Sequence, residues 1–505
     1  MRATLDDVPS ASPKPILSEF PYWLTIAGII FAVKGLFFWV DPVPMFFLGD
    51  SQSYLETAVH GWIPTDRSFT YGYVIRFFAV NTGSLVPLLA AQIIASALAA
   101  LSATFILRRY LNTSPLLAAL MGILCALEPL QLMFERYVMT EPFSTGLFAL
   151  FVTIAIGYLK HPSWVCIGLL QITGVSLISF RIGFLPAVQA VTLLLPLFAL
   201  WGKSEPPEQF ARCTLFSREL RFPRRGVRVA SHLMLSIILF LGLHAGYKRV
   251  FASLVQRGLP NAQPAYNYKN GFFLLSLVGP IVKPCDFPVP DKVNAVFDQL
   301  SFRLDDYQMR NQQLWVKGGL IDRLQANCSD ILEANRLAEL TAQNAVKRNP
   351  LGELSLIMIS YADWWNPDRL LPYMKRDRGN RELPPELLTM LKENFNLDGA
   401  PLPHLSTVTN RYFFSAWRWC LGLLLLPLPA GYLIWTSPRK NKPQYILLFG
   451  FVFLQIAVAI VLSVQPTVRF LHPIAWLSTL VLGAVLRQVQ IGSAPVQFEP
   501  GERSA

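Results

Sequence analysis

The residues of this chain best placed to do chemistry are an aspartate and a scatter of arginines beside apolar stretches. Asp50 lies in Gly49-Asp50-Ser51-Gln52-Ser53-Tyr54-Leu55. It follows directly on an apolar run, Tyr22 to Val40, that is long enough to cross a bilayer. Asp66, Arg67 and Arg76 follow in the same loop, with Glu56 between. Glu135, Arg136 and Glu141 share a second short turn, Arg181 interrupts another apolar stretch, and Arg469 and His472 share a third turn. A carboxylate can take a proton from an attacking hydroxyl. A guanidinium matches phosphate with paired hydrogen bonds and stabilises the charge on a departing phosphate. The set therefore suits transfer of a group from a lipid-borne phosphate, with Asp50 as base and Arg136, Arg181, Arg469, Tyr54, Arg67 and His472 as candidate substrate contacts. Each has a plainer reading as well. Asp50 can cap a helix, arginines beside aromatics snorkel to headgroups, and His472 suits a structural hydrogen bond. Lys34 and Glu128, near the ends of apolar segments, can line a cleft or snorkel.

Such residues need apolar helices to hold them. Of 505 residues 53% are hydrophobic and only 15% charged, where a soluble domain carries about a quarter, so much of the surface must face lipid. The first apolar run lacks a small-residue cleavage site and reads as a retained helix. The expected fold is an all-α polytopic membrane protein of about ten spans, near 22–40, 86–107, 115–133, 142–159, 163–180, 184–201, 230–249, 413–435, 444–464 and 472–487. Lys and Arg gather at every second junction: Arg108 and Arg109, Lys160, the segment 202–229, and Arg439 to Lys442. The positive-inside rule puts these loops and both tails (1–21 and 489–505) in the cytoplasm. The net charge of +12 then reports topology and contact with anionic headgroups rather than nucleic acid.

This topology leaves two large pieces on the other side, a first loop over 41–84 and a segment over 251–412 between the membrane parts 22–250 and 413–488. The second segment reads as a mainly helical extracytoplasmic domain, since apolar residues recur at helical spacing in 294–297 and 331–340. The run 272–282 is too short to span and reads as buried or interfacial. Ser360-Tyr361-Ala362-Asp363-Trp364-Trp365 suits headgroup level. Cys285 and Cys328, the two cysteines of that segment, are candidates for a disulfide in an oxidising compartment. No Cys/His spacing suggests a metal site, and no phosphate loop or dinucleotide fingerprint is present.

In Gly49-Asp50-Ser51-Gln52-Ser53-Tyr54, Ser68-Phe69-Thr70-Tyr71-Gly72-Tyr73, Glu135-Arg136-Tyr137-Val138-Met139-Thr140-Glu141-Pro142 and Arg469-Phe470-Leu471-His472-Pro473 the chain resembles the GT-C membrane glycosyltransferases, in particular protein O-mannosyltransferases and aminoarabinose transferases. The likeness covers roughly 20–200 and 410–490. It implies a polyprenyl-phosphate sugar (hexosyl or pentosyl) as donor and inversion at the anomeric carbon. By residue it implies Asp50 as base, Glu141 as a second acid and Arg469 near the donor phosphate. It also implies a plasma (inner) membrane enzyme acting on the extracytoplasmic side. Many members carry two adjacent acids in the first loop, whereas Ser51 follows Asp50 here, so no divalent metal is expected. A transporter or flippase for a lipid-linked or anionic substrate, an O-antigen ligase or polymerase, and a non-catalytic assembly subunit are the alternative readings. Neither the sugar nor its acceptor, a glycan, lipid or protein, is specified.

Overall fold

The computed structural model describes residues 16–47, 49–198, 210–215, 218–377 and 382–493. Helix α1 (Phe20–Val40) is followed by two short helices, α2 (Asp50–His60) and α3 (Thr70–Phe78). Helix α4 (Val86–Phe105) runs on into a π-turn, Ile106–Tyr110. Next come α5 (Pro115–Ala126), α6 (Pro129–Phe134), α7 (Glu141–Lys160), α8 (Trp164–Phe180) and α9 (Leu185–Phe198). An antiparallel hairpin, β1 (Phe210–Leu215) and β2 (Arg218–Pro223), pairs Phe210 with Pro223 and Leu215 with Arg218. It departs from the all-α expectation and leads into α10 (Arg224–Val255).

Among the described residues five helices are long and apolar enough to cross a membrane: α1, α4, α7, α10 and α22 (Lys442–Val461). Two expected spans are not single helices. The third stops at Ala126, because Pro129 disfavours helical backbone at the residue before it. Glu128 is extended there, and its carboxylate accepts from the Gln131 N–H at 2.8 Å to start α6. The eighth is divided into α19 (Val408–Ser415), α20 (Trp417–Leu424) and α21 (Pro427–Thr436), with a 44° bend between the last two. Helices α8 and α9, at 17 and 14 residues, are apolar but shorter than a bilayer requires. Residues 1–15 and 494–505 of the tails, and 202–209 and 216–217 of the basic segment, lie outside the described residues.

The largest core lies where α4 and α7 meet α22 (Lys442–Val461) and α23 (His472–Ser493). Helix α4 buries Ala97, Ala99, Ala100 and Ala103, whose small side chains let its backbone approach α7. Gly146 of α7 is required there, since a Cβ would sit 2.6 Å from the Ala95 carbonyl oxygen. The opposite faces expose Leu24, Ile94, Leu116, Ile172, Ile238 and Phe453, as lipid contact demands.

Helices α11 (Asn270–Val278), α12 (Val293–Phe297), α13 (Arg310–Trp315), α14 (Leu320–Ala326) and α15 (Ile331–Arg348) enclose a separate core of Phe272, Leu275, Leu314, Leu324, Leu337 and Ala338. Asp330 caps α15 through the Glu333 N–H at 2.7 Å. Glu333 in turn accepts from the Ser329 N–H and hydroxyl, which pulls its pKa down to about 2. Asp286 receives both Nε and Nη2 of Arg348, at 2.7 and 2.8 Å. Helices α16 (Pro350–Trp365), α17 (Pro367–Asp377) and α18 (Pro385–Phe395) complete the segment. Trp364 is not at a surface as expected but buried against the large core with Leu370 and Met374, because α16 leans on α22. The anticipated Cys285–Cys328 disulfide is not made: both thiols are free. Cys285 sits in the short helical turn Pro284–Asp286, ordered by the Asp286 carboxylate, and Cys328 follows α14.

Candidate active site

The loop after α1 is built to present Asp50. Gly49 has φ +76°, a left-handed conformation that glycine adopts freely, and it turns the chain so that Asp50 opens α2 at its positive end. Ser51 Oγ accepts the Phe47 N–H at 2.8 Å and so closes the turn. The strand-like stretch before it is bolted to the second turn: the Met45 N–H donates to the Arg136 carbonyl at 2.8 Å, and the Val138 N–H to the Met45 carbonyl at 2.9 Å. Gln92 of α4 donates its amide to the carbonyls of Glu135 and Tyr137. Glu141 opens α7 just beyond. Arg181 ends α8, and Arg469 lies in the turn Val468–Phe470 before α23. These sites fall at the C-terminal ends of α1 and α8 and the N-terminal ends of α7 and α23, so the alternation of helix direction collects them at one end.

There they form a single ion network. Asp50 Oδ1 accepts from Arg67 Nη1 and Oδ2 from Arg469 Nη1. Arg469 Nε donates to Glu141 Oε1, and Arg181 Nη1 donates to the same oxygen at 3.2 Å. Arg181 Nη2 also reaches the Arg469 carbonyl at 3.2 Å. Asp66 grips Arg67 with both oxygens, at 3.0 and 3.2 Å, and lies 3.5 Å from Lys269 Nζ. The aromatic rings of Phe47 and Phe470 lie against Arg469 and Arg181, at 5.3 and 5.4 Å. Glu141 is sealed, while the side chains of Asp50 and Arg469 are 19% and 16% exposed. The network thus opens along its Asp50–Arg469 edge.

Its electrostatics follow from that crowding. Burial alone would raise the Asp50 pKa, but Arg469 and Arg67 outweigh it and hold the carboxyl below the ordinary aspartate value. Burial opposes the charge on Arg469, yet Asp50 and Glu141 keep it well above the usual guanidinium value. Arg181 is pulled down to about 10 by burial, only partly countered by Glu141, and is still a cation at neutral pH. Tyr54, buried beside Asp50, is raised and keeps its proton. Its ring meets that of Tyr71 edge to face at 5.0 Å.

The structure brings Asp50, Glu141, Tyr54, Arg67, Arg181 and Arg469 together. It sets Arg136 and His472 apart. Arg136 is fully buried, donates through Nε to the Asp41 carbonyl at 2.7 Å and lies over Phe38, with Nη1 3.9 Å from Glu135. Glu135 is paired with Lys34. His472 turns inward, Nδ1 3.2 Å from the Thr145 hydroxyl and its ring against Phe134. One participant escaped notice in the sequence: Lys269, 203 residues beyond Asp66 in the chain, carried no signal, whereas Asp66 was noted beside Arg67 without a role of its own. No family model, curated protein or solved structure matches this chain.

Proposed function

We propose that this chain is an inverting membrane glycosyltransferase of the GT-C kind, which moves a sugar from a polyprenyl-phosphate donor to an acceptor hydroxyl at the extracytoplasmic face. In this reading the chain makes about ten crossings, with α8, α9 and the bent α20–α21 pair as short or broken ones. The basic loops lie in the cytoplasm, and the end that carries Asp50 faces outward. The observation that carries the proposal is the meeting of Asp50, Glu141, Arg67, Arg181 and Arg469, from four distant parts of the chain, at one partly open edge among apolar helix ends.

At rest the arginines neutralise the acids, and Asp50 is a weak base because two cations hold its charge. A donor phosphate entering at the open edge competes for Arg469 and Arg67. As Arg469 turns to the phosphate, Asp50 keeps Arg67 alone, its pKa rises and it becomes able to accept a proton. The acceptor oxygen then bonds to the anomeric carbon while the bond from that carbon to the phosphate oxygen breaks. The proton of the acceptor hydroxyl passes to Asp50, and the lipid phosphate leaves with the bonding electrons. Arg469 and Arg181 stabilise its added charge. Attack from the face opposite the leaving group inverts the configuration. Glu141 is the positioning residue that holds Arg469 and Arg181 side by side.

The test is donor turnover by the purified chain in detergent with radiolabelled polyprenyl-phosphate sugars. Wild type is expected to bind and consume one such donor, and Asp50→Asn to bind it without turnover. Absence of donor binding by either protein rejects the reading. A fully active Asp50→Asn keeps the reaction and transfers the base role elsewhere.

A further inference from the structure

A cleft of about 360 Å³ opens in the domain formed by α11–α15. This volume lies in the range of small-molecule sites. Its floor is apolar: Phe272, Leu314 and Ile321 are buried. At the rim stands Trp315, 51% exposed, with the ring of Phe273 set edge to face against it at 5.8 Å. Around these rings the lining is polar, with Lys317, Gln325, Asp322 and Lys269. Asp322 is anchored by the Gly318 N–H at 2.7 Å. The exposed indole is open to a ligand.

The lining chemistry narrows what that is. A flat aromatic face takes up the C–H face of a pyranose ring. Two ammonium groups, a carboxylate and an amide around it supply both donors and acceptors for hydroxyls. A lipid chain would make no use of these four polar groups. A purely anionic ligand would meet Asp322 and make little use of the two rings. The cleft is also tied to the ion network. Lys269 lines the cleft and lies 3.5 Å from Asp66, Asp66 grips Arg67, and Arg67 pairs with Asp50. Three ion pairs therefore lead from the cleft wall to the carboxylate.

We infer that this cleft binds a saccharide and holds the glycan acceptor whose hydroxyl is delivered to Asp50. The inference rests on the glycosyltransferase reading for its acceptor role, and on the cleft alone for the binding of sugar. Lys269 is held by Asp66, whereas Lys317 stands exposed at the rim and is positioned to meet a carboxylate, so glycans with an acidic residue bind in preference to neutral ones of the same size.

The experiment uses the full chain in nanodiscs and saturation-transfer NMR with three probes, chitotriose, mannotriose and trigalacturonate. At least one probe is expected to bind, trigalacturonate most tightly. Trp315→Ala should weaken binding at least tenfold with an unchanged melting temperature. Gln325→Ala, an exposed single change that leaves the aromatic floor intact, should weaken it severalfold and serves if the indole proves necessary for folding. Lys317→Ala should erase the preference for the acidic probe. If no probe binds wild type, or if Trp315→Ala and Gln325→Ala both bind as wild type does, the inference is overturned. Donor turnover is measured on the same preparations. Donor hydrolysis without saccharide binding removes the cleft and leaves the transferase. Saccharide binding without use of any polyprenyl donor removes the transferase and leaves a sugar site.

Discussion

Two charge clusters in this protein both draw on the loop after α1 and the turn before α7 and have opposite characters. One joins Lys34 to Glu135, with Arg136 and the Asp41 carbonyl alongside, and the side chains of Lys34, Glu135 and Arg136 are entirely shielded. The other joins Asp50, Glu141, Arg67, Arg181 and Arg469, and its Asp50–Arg469 edge is open. In the sealed cluster Glu135 is paired closely with Lys34 alone, Arg136 Nη1 stands farther off at 3.9 Å, and Ser96 and Gln131 complete the surround. In the open cluster Arg469 bridges two acids and Glu141 serves two arginines. Shared cations can be handed to an arriving anion, because each acid keeps another partner while one cation moves. A private buried pair cannot be opened without stranding a charge in an apolar surround. Arginine-rich turns alone did not separate the two; exposure and sharing did.

The comparison can be tested by breaking each cluster in turn. The largest effect is expected from Asp50→Asn. If the open cluster is catalytic, donor turnover falls by about two to four orders of magnitude, the range for a positioned general base, while thermal unfolding in detergent moves little. Equal losses of turnover and of folded protein would show this cluster to be structural like the other. Glu135→Gln should do the reverse. It strands Lys34 and should cost about 3–5 kcal/mol of stability, read as a lower unfolding temperature, with the turnover of the folded fraction kept. Adding Lys34→Met should recover a large part of that stability. A drop in catalysis without a drop in stability would contradict the sealed assignment.

A finer contrast comes from Arg181→Lys. An ammonium cannot span Glu141 Oε1 and the Arg469 carbonyl as the fork of Arg181 does. Donor affinity should fall about tenfold, whereas Arg136→Lys should leave it unchanged; equilibrium binding of labelled donor compares the two. The smallest effect concerns the separate domain. Arg348 holds the Asp286 pKa down, mainly by hydrogen bonding. An acid with a depressed folded-state pKa contributes stability that is complete above its unfolded value, near 3.9, and is lost as the pH falls through the folded one. Arg348→Ala should therefore move the acid midpoint of that domain upward, toward pH 4, as followed by its tryptophan emission. An unmoved midpoint would mean that this pair does not hold the domain.

Much of this was legible in the chain itself. Composition and long apolar runs announced the membrane-type helices, and α1, α4, α7 and α22 begin and end within a few residues of the expected spans. The periodicity of 331–340 announced α15, whose buried Ala334, Leu337, Ala338 and Ala345 lie on one face. These features depend on local spacing, which the sequence displays. The breaks at Glu128 and between α20 and α21 depend on prolines inside long apolar runs. Hydropathy averages over such residues, so the runs read as continuous.

The sequence by itself determined the types of residue available for chemistry and the end of the helices at which they emerge, since each sits beside an apolar run whose direction alternates. Only the tertiary structure decided which of them meet. Arg136, Arg181 and Arg469 look alike along the chain, yet Arg136 is sealed over Phe38 and the other two close on Glu141. Lys269 and Asp66 became partners for the same reason. Ion pairing depends on a few ångströms of separation and on exclusion of water, and these are properties of packed helices rather than of position in a sequence.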